Sequence, residues 1–441
     1  MRVISNKQQL KSNSLSFAKS PIRVLHTSSG TTGKPTLWAR GDQHAHIGEA
    51  LHKKIIDQTF AIDPREKTLV VIGFNFNGWV ASSYTFLAFR DLCEHEHYQF
   101  TLYPSGNDIG RILPYAQEFH QNFDNIIYVG APSFIRQLFE RLSTSLKHTS
   151  AKVFTLTSGE STSAQWRKIL FDLLPASAGA FQHVNIYGSA DAGLIAFETR
   201  ESIRLSALCN EKPSFQKLLA DKLACKRPFQ IMQYDPRFLT LSTDAESKLF
   251  ITAPQLCIPL QDYPTGDLGA VISWDEMNQL LADANPSLSL PLEQGCDKLP
   301  FLLFAGREAL WLAYESKIRI GIKALTDSID ACQFVEPTIK DDFVSYVENI
   351  DVGQQLVCCL VSENALTPEQ HAQLTMTILK SLSSSDSDIE ALVGGHQFHF
   401  KLLRVSEPEL LEKLEALKTA SIKAITRLKT SKPHLLVDVT T

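Results

Sequence analysis

The densest chemistry in the chain lies in HTSSGTTGKPT, from His26 to Thr36. The hydroxyls of Thr27, Ser28, Ser29, Thr31 and Thr32 stand beside Gly30, Gly33 and Lys34. Glycines reach backbone angles closed to other residues, so successive N–H groups can turn inward around an anion. The hydroxyls add donors and Lys34 adds positive charge, while Pro35 keeps a helix from starting at once. These residues predict a polyphosphate cradle. It is not the common NTPase loop, which has four residues between its glycines and Ser or Thr after the lysine. A second cluster, Cys93, His95 and His97, has donor types that suit zinc, as does the pair His44 and His46. No further cluster has matching spacing, and a zinc site is not expected.

The elements that must hold the loop are legible as alternating periodicities. TLVVIGFNF, NIIYVG, AKVFTLTSG and HVNIYG read as strands. Between them, Pro132 opens a helix through SFIRQLFERL, and SAQWRKILFDLL reads as another. Strand–helix–strand alternation predicts parallel sheet covered by helices. KLFITA, DLGAVISW and FLLFAG add later strands. Beyond Arg307 the pattern changes. QQLVCCLVSE and FHFKLLRV read as strands, Thr367 and Pro368 open one helix, and Ser406 caps a long helix over about 407–429. LLVDV reads as a last short strand. The expected fold class is α/β, a large N-terminal domain of helix-covered β-sheets over residues 1–307, with a small C-terminal α+β domain over 308–441.

Composition narrows the function classes. The chain has 441 residues, 44% hydrophobic and 21% charged, as in ordinary globular proteins. A net charge of −5 gives no basic footprint for nucleic acid. No apolar run approaches a membrane span, and the N-terminus lacks an apolar core of signal-peptide length. Eight scattered cysteines, none in a C-x-x-C pair, read as reduced thiols of a cytoplasmic protein.

The loop resembles the signature of the adenylate-forming superfamily, the acyl-CoA ligases and their relatives. With lysine before proline it is most similar to the phenylacetate–CoA ligase branch. Further stretches resemble that branch in its own order. VVIGFNFNGWVASSYTF resembles the segment lining the acyl pocket, which implies Phe74, Asn75, Phe76 and Trp79 as pocket walls. KVFTLTSGEST resembles the strand and loop beside the adenine, which implies Gly159 and Glu160 as nucleotide neighbours. IYGSADAG resembles the motif in which an aromatic lies against adenine and an acid helps hold Mg²⁺. Tyr187, Gly188 and Asp191 occupy those places, with Asp191 where the family usually has glutamate. DYPTGDLG resembles the element whose aspartate accepts from both ribose hydroxyls, implying Asp267; Gln261 and Asp262 stand where the family carries arginine. FAGRE implies Arg307 at the ribose.

Departures gather at both ends. Only 26 residues precede Thr27, fewer than the family usually carries. After Arg307, Glu308 is the only early carboxylate and Gly321 the only nearby glycine, so the family's hinge is altered. TSKPHLLVDV resembles the element presenting the adenylation lysine; Lys432 aligns best, with Lys429 and Lys423 behind it. The resemblance implies that a carboxylic acid is activated by ATP and Mg²⁺ to an acyl-adenylate, with Lys432, Lys34 and Thr32 as catalytic residues. The acyl group then passes to a thiol, with CoA the first expectation. A carrier-protein thiol or an amine is an alternative acceptor, and a nucleotide-binding homologue without turnover is a third reading. An aromatic acid is one candidate substrate.

Overall fold

The computed structural model describes residues 14–27, 36–77, 80–160, 162, 164–175, 178–224, 228–290, 297–307, 311–314, 318–336, 338–350, 353–362, 364–385, 387–394, 398–419 and 424–427. They divide into two compact units, one drawn from Met1–Thr162, Leu170–Cys225 and Phe229–Phe304, the other from Ser163–Ile169, Lys226–Pro228 and Ala305–Thr441.

The first unit begins with a two-stranded antiparallel ribbon, β1 (Val24–Thr27) and β2 (Leu37–Arg40). These strands flank the residues of the predicted cradle and set its two ends opposite each other, Thr27 facing Leu37. The main sheet is built, in chain order, from β3 (Thr68–Ile72), β4 (Phe100–Tyr103), β5 (Asn125–Gly130), β6 (Lys152–Ser158), β7 (His183–Ser189), β8 (Gly193–Phe197), β9 (Gln230–Gln233), β10 (Thr240–Thr243), β11 (Lys248–Ala253), β12 (Leu260–Ile272) and β13 (Phe301–Arg307). Its spatial order is β10-β11-β12-β13-β9-β8-β7-β6-β5-β3-β4.

Strands β4, β3, β5, β6 and β7 run parallel, as the alternating pattern predicts. Every residue of β3 and β5 is buried, the signature of a sheet covered on both faces. Helices Val80–Glu96 and Pro132–Lys147 supply crossovers, the second with Pro132 in its first turn. Beyond β7 the pairing changes direction. β7 meets β8 antiparallel, and so do β8 and β9, β13 and β9, β11 and β12, and β10 and β11. The reason is connection length: only Ala190 to Ala192 separate β7 from β8, too few for a crossover helix. The core of this unit joins Trp38 and Ile47 to Ile72, Val129, Phe197 and Leu302 in one apolar cluster.

The second unit holds a short ribbon, β14 (Trp311–Tyr314) with β15 (Ile318–Gly321), and a four-stranded sheet. That sheet comprises β16 (Ile339–Ile350), β17 (Gly353–Ser362), β18 (His399–Val405) and β19 (Ala424–Arg427), in the order β18-β17-β16-β19. β17 and β18 are parallel and the other pairs antiparallel. Thr367 caps helix Pro368–Ser385 reciprocally: Gln370 N donates to its Oγ1 at 3.2 Å, and Thr367 N donates to Gln370 Oε1 at 2.8 Å. Tyr314 ties the ribbon to the sheet, donating to Gln354 O and accepting from His399 N.

One prediction fails here. The helix opened at Ser406 ends at Thr419 rather than near Lys429, and Ala424–Arg427 pairs with Phe343–Tyr346 as a strand. β-Branched Ile425 and Thr426 suit a sheet edge, and β16 offers an unpaired side. Lys423, Lys429, Lys432 and LLVDV lie outside the described residues, as does the hinge residue Glu308.

Candidate active site

Two tyrosine–carboxylate pairs form the core of the candidate site in the first unit. Tyr187, on β7, donates its hydroxyl to Asp267 Oδ2 at 2.6 Å, and both residues are buried. Asp267 sits within β12, where its own N–H donates to Thr265 Oγ1 at 3.0 Å. Phe304 of β13 lies against the Tyr187 ring, with centroids 4.2 Å apart and planes tilted by 30°. Tyr263, four residues before Asp267, donates to Asp191 Oδ2 at 3.0 Å. The Tyr263 ring meets Trp38 edge-on. Both carboxylates are thereby held by tyrosine hydroxyls from elements that β13, β9 and β8 separate in the strand order.

Backbone geometry fixes the turns that carry Asp191 and Glu160. A Cβ on Gly188 would stand 2.9 Å from the Gly193 carbonyl oxygen, so the β7–β8 hairpin closes only with glycine there. Within its turn, Ser189 Oγ accepts from Asp191 N and Ala192 N at 3.2 and 3.1 Å. That cap fixes the backbone carrying Asp191. Gly159 has φ of +90°, which lets the β6 exit fold back sharply. The adjoining Glu160 carboxylate accepts from Ser133 N at 3.0 Å and Ser133 Oγ at 2.8 Å. Its side chain therefore caps the Pro132 helix, and its main-chain oxygen accepts from Asn185 Nδ2.

The ribbon contributes a buried cation. Arg40, at the end of β2, donates from Nη2 to Ala190 O at 2.5 Å. Burial lowers its pKa to about 10 against the opposing pull of Tyr84, Asp191 and Cys257. Near it, His26 of β1 holds Ser83 Oγ at 2.6 Å through Nε2. Burial, reinforced by Arg40, pulls His26 down to about 4 and His44 to about 2, so both imidazoles are neutral at pH 7.

Of the residues singled out from sequence, Tyr187, Gly188, Asp191 and Asp267 come together. Thr27 ends β1, and Arg307 ends β13 at the start of the second unit. Phe74 packs against the large apolar cluster. Asn75 accepts from Asn77 N through Oδ1 and from Ser82 Oγ through its main-chain oxygen. Phe76 is 40% exposed and stands edge-on to Phe86. Ser28, Ser29, Gly30, Thr31, Thr32, Gly33, Lys34 and Trp79 lie outside the described residues. Asp262, in place of the family's residue before the tyrosine, has φ of +44° at an irregular step of the β11–β12 pairing, where its N–H donates to Thr252 Oγ1.

The zinc candidates do not assemble. Cys93 and His95 end helix Val80–Glu96, with Cys93 Sγ donating to Phe89 O and His95 Nδ1 paired to Glu49. Among the described residues no group of three metal-binding side chains forms.

Sequence reasoning missed Tyr263, Phe304, Tyr84 and Arg40. Tyr263 and Phe304 lie inside stretches already singled out. The signal for Arg40 was a lone charge ending the apolar run LWAR.

No protein-family model matches the chain, and comparison with curated proteins finds no match. Solved structures do resemble it. One is 2-hydroxyisobutyryl-CoA ligase in the postadenylation state with R3-HIB-AMP, with a TM-score of 0.58 at 14% identity over 92% of this chain and 76% of that one. Another is McyG A-PCP complexed with phenylalanyl-adenylate, with a TM-score of 0.52 at 12% identity over 88% of this chain and 63% of that one. O-succinylbenzoate coenzyme A synthetase from Bacillus subtilis, in complex with ATP and magnesium ion, gives 0.51 at 11% identity over 86% and 66%. The chain has the fold of the adenylate-forming ligases. Among the described residues, no helix is long and apolar enough to cross a membrane.

Proposed function

We propose that this chain activates a carboxylic acid with ATP and passes the acyl group to a thiol. The reading is supported above all by one juxtaposition: Tyr187 and Asp267, drawn from separate motifs 80 residues apart, are in hydrogen-bond contact. The fold of the adenylate-forming ligases supports it further. Residues 1–307 would form the adenylating domain and 308–441 the lid.

In the first step a substrate carboxylate oxygen attacks the α-phosphorus of ATP. The bond from that phosphorus to the bridging oxygen breaks, and pyrophosphate leaves. Charge builds on phosphoryl oxygens, so preorganised N–H, hydroxyl and ammonium donors stabilise the transition state. Thr27, Ser28, Ser29, Gly30, Thr31, Thr32, Gly33 and Lys34 would hold the departing phosphates, and Lys432 would bridge the developing charges. The Tyr187 face would lie against adenine with Gly159, Glu160 and Gly188 at the base's edge. Asp267 and Arg307 would position the ribose. Phe74, Asn75, Phe76 and Trp79 would wall the acyl group. Asp191 offers a hard oxygen donor of the type Mg²⁺ takes, and Mg²⁺ bound there would neutralise phosphate charge.

In the second step a thiol sulfur attacks the acyl carbon, its proton is lost, and AMP departs. CoA is the favoured acceptor. The McyG structure includes a PCP and a phenylalanyl-adenylate, which keeps a carrier-protein thiol as the alternative.

The test is acid-dependent exchange of labelled pyrophosphate into ATP over a panel of carboxylic acids. Exchange is expected with a subset of them, and Lys34→Ala should lower it by about a hundredfold. ATP binding without exchange for any acid would overturn the reading. Exchange without CoA acylation would assign the second step to another acceptor.

A further inference from the structure

The ribbon of β1 and β2 carries both ends of the stretch assigned to the departing phosphates. Among the described residues it pairs with no strand of the main sheet. Side-chain contacts on its inward face take the place of a backbone ladder. Cross-strand partners share a face of a ribbon, and so do residues two apart. His26 lies opposite Trp38 and Val24 opposite Arg40, so the four share one face. His26, Trp38 and Arg40 are 3%, 1% and 3% exposed, whereas Leu25, on the other face, is 45% exposed.

Each of these three buried side chains reaches a residue that holds another part of the candidate site. His26 Nε2 shares its 2.6 Å hydrogen bond with Ser83 Oγ, on helix Val80–Glu96. The neighbouring Ser82 donates to Asn75 O at 2.8 Å, which ties that helix to the stretch assigned to the acyl wall. Trp38 meets Tyr263 edge-on with centroids 6.3 Å apart, and Tyr263 donates to Asp191 Oδ2. Arg40 Nη2 donates to Ala190 O, in the turn that carries Asp191. Burial keeps His26 neutral at pH 7, so what it supplies is a directed contact and not a charge. Thr27 follows His26 directly and Leu37 precedes Trp38, so two of the anchors stand where the phosphate stretch leaves and rejoins the ribbon.

We propose that His26 and Arg40 are positioning residues for adenylation. Through them the strands bearing the cradle's two ends are fixed against the acyl-wall helix on one side and the Asp191 turn on the other. This rests on the adenylation reading, and both residues act through others. In-line transfer needs the attacking oxygen, the α-phosphorus and the leaving oxygen aligned, and a misplacement of about 1 Å can cost about a hundredfold in rate. A ribbon docked by side chains makes that alignment depend on a few contacts.

The experiment is pyrophosphate exchange with an accepted acid, varied in turn against MgATP, the acid and Mg²⁺. His26→Leu should raise KM for MgATP by about tenfold and leave KM for the acid within about twofold. His26→Gln, whose side-chain amide can reach the place of Nε2, should recover most of the loss. Ser83→Ala, which removes one oxygen, should repeat the rise, and combining it with His26→Leu should add nothing further. Arg40→Met should raise the Mg²⁺ concentration for half-maximal exchange by about tenfold, with Arg40→Lys between it and the wild type. A purely structural role moves none of these constants, because the rate then only follows the folded fraction read from urea midpoints. An unchanged KM for MgATP in Ser83→Ala, or additive losses in the double variant, overturns the role of His26. An unchanged Mg²⁺ dependence in Arg40→Met, or in Arg40→Lys where the methionine variant does not fold, overturns that of Arg40. Absence of wild-type exchange with every acid refutes adenylation instead, and calorimetry with MgATP then decides: weaker binding in Ser83→Ala supports positioning of the phosphates, and equal binding overturns it.

Discussion

Replacing Tyr187 by phenylalanine removes one oxygen from the centre of the candidate site. The ring keeps its place against Phe304, with centroids 4.2 Å apart, so packing is largely preserved. What is lost is a 2.6 Å hydrogen bond to Asp267 Oδ2, from a donor 7% exposed to an acceptor 3% exposed. Hydrogen bonds to charged groups contribute roughly 1.5–3 kcal/mol net, and a buried carboxylate deprived of a donor keeps its desolvation cost. Tyr187→Phe should therefore destabilise the first unit by about 1.5–3 kcal/mol. Urea titration followed by circular dichroism would read the change, alone and in a double-mutant cycle with Asp267→Asn. Two residues acting through one contact should show a coupling of about 1 kcal/mol or more. A loss below about 0.5 kcal/mol, together with a coupling near zero, would refute the contact and the argument built on it.

Three further outcomes follow from the same geometry. The folded chain holds His26 and His52 down at about 4 and His44 at about 2, against 6.5 when unfolded. Stability is thus fully present above pH 6.5 and falls as pH drops towards 4, by about 1.4 kcal/mol per pH unit for each histidine protonated only when unfolded. Urea midpoints at successive pH values should show this slope, and His52→Leu should make it shallower; a flat profile from pH 7 to 5 would contradict the burial argument. Gly188→Ala forces a Cβ to 2.9 Å from a backbone oxygen and should cost about 1–3 kcal/mol, read in the same titration. Asp191→Asn should raise the Mg²⁺ concentration needed for half-maximal pyrophosphate exchange, and an unchanged Mg²⁺ dependence would remove Asp191 from the metal's surroundings.

How far the sequence could be read depended on how local each signal was. The strands β3, β5, β6 and β7 announce themselves as short apolar runs between helical periods, and the structure has them as parallel neighbours. Tyr187 and Asp267 could be singled out because each sits in a distinctive motif. That the hydroxyl of one reaches the carboxylate of the other is a long-range fact no local pattern carries. The same holds for Tyr263 and Asp191, 72 residues apart, and for Arg40 and Ala190, 150 apart. Ala424–Arg427 was misread for a related reason. Its polar and apolar residues continue a helical period acceptably, and only the open side of β16 makes them a strand.

The place of β13 in the sheet has a consequence for synthesis of the chain. Strand β9 pairs with β8 on one side and, on the other, with Phe301–Phe304, which follow it by roughly seventy residues. Until those four residues leave the ribosome, Gln230–Gln233 presents an edge of unpaired backbone groups, and strands β10, β11 and β12 have no partner joining them to the growing sheet. Nascent chains stalled before Pro300 should expose that edge to other chains. Those released just past Phe304 can close it. A few residues at the seam thus separate a fragment prone to aggregate from one able to complete its own sheet.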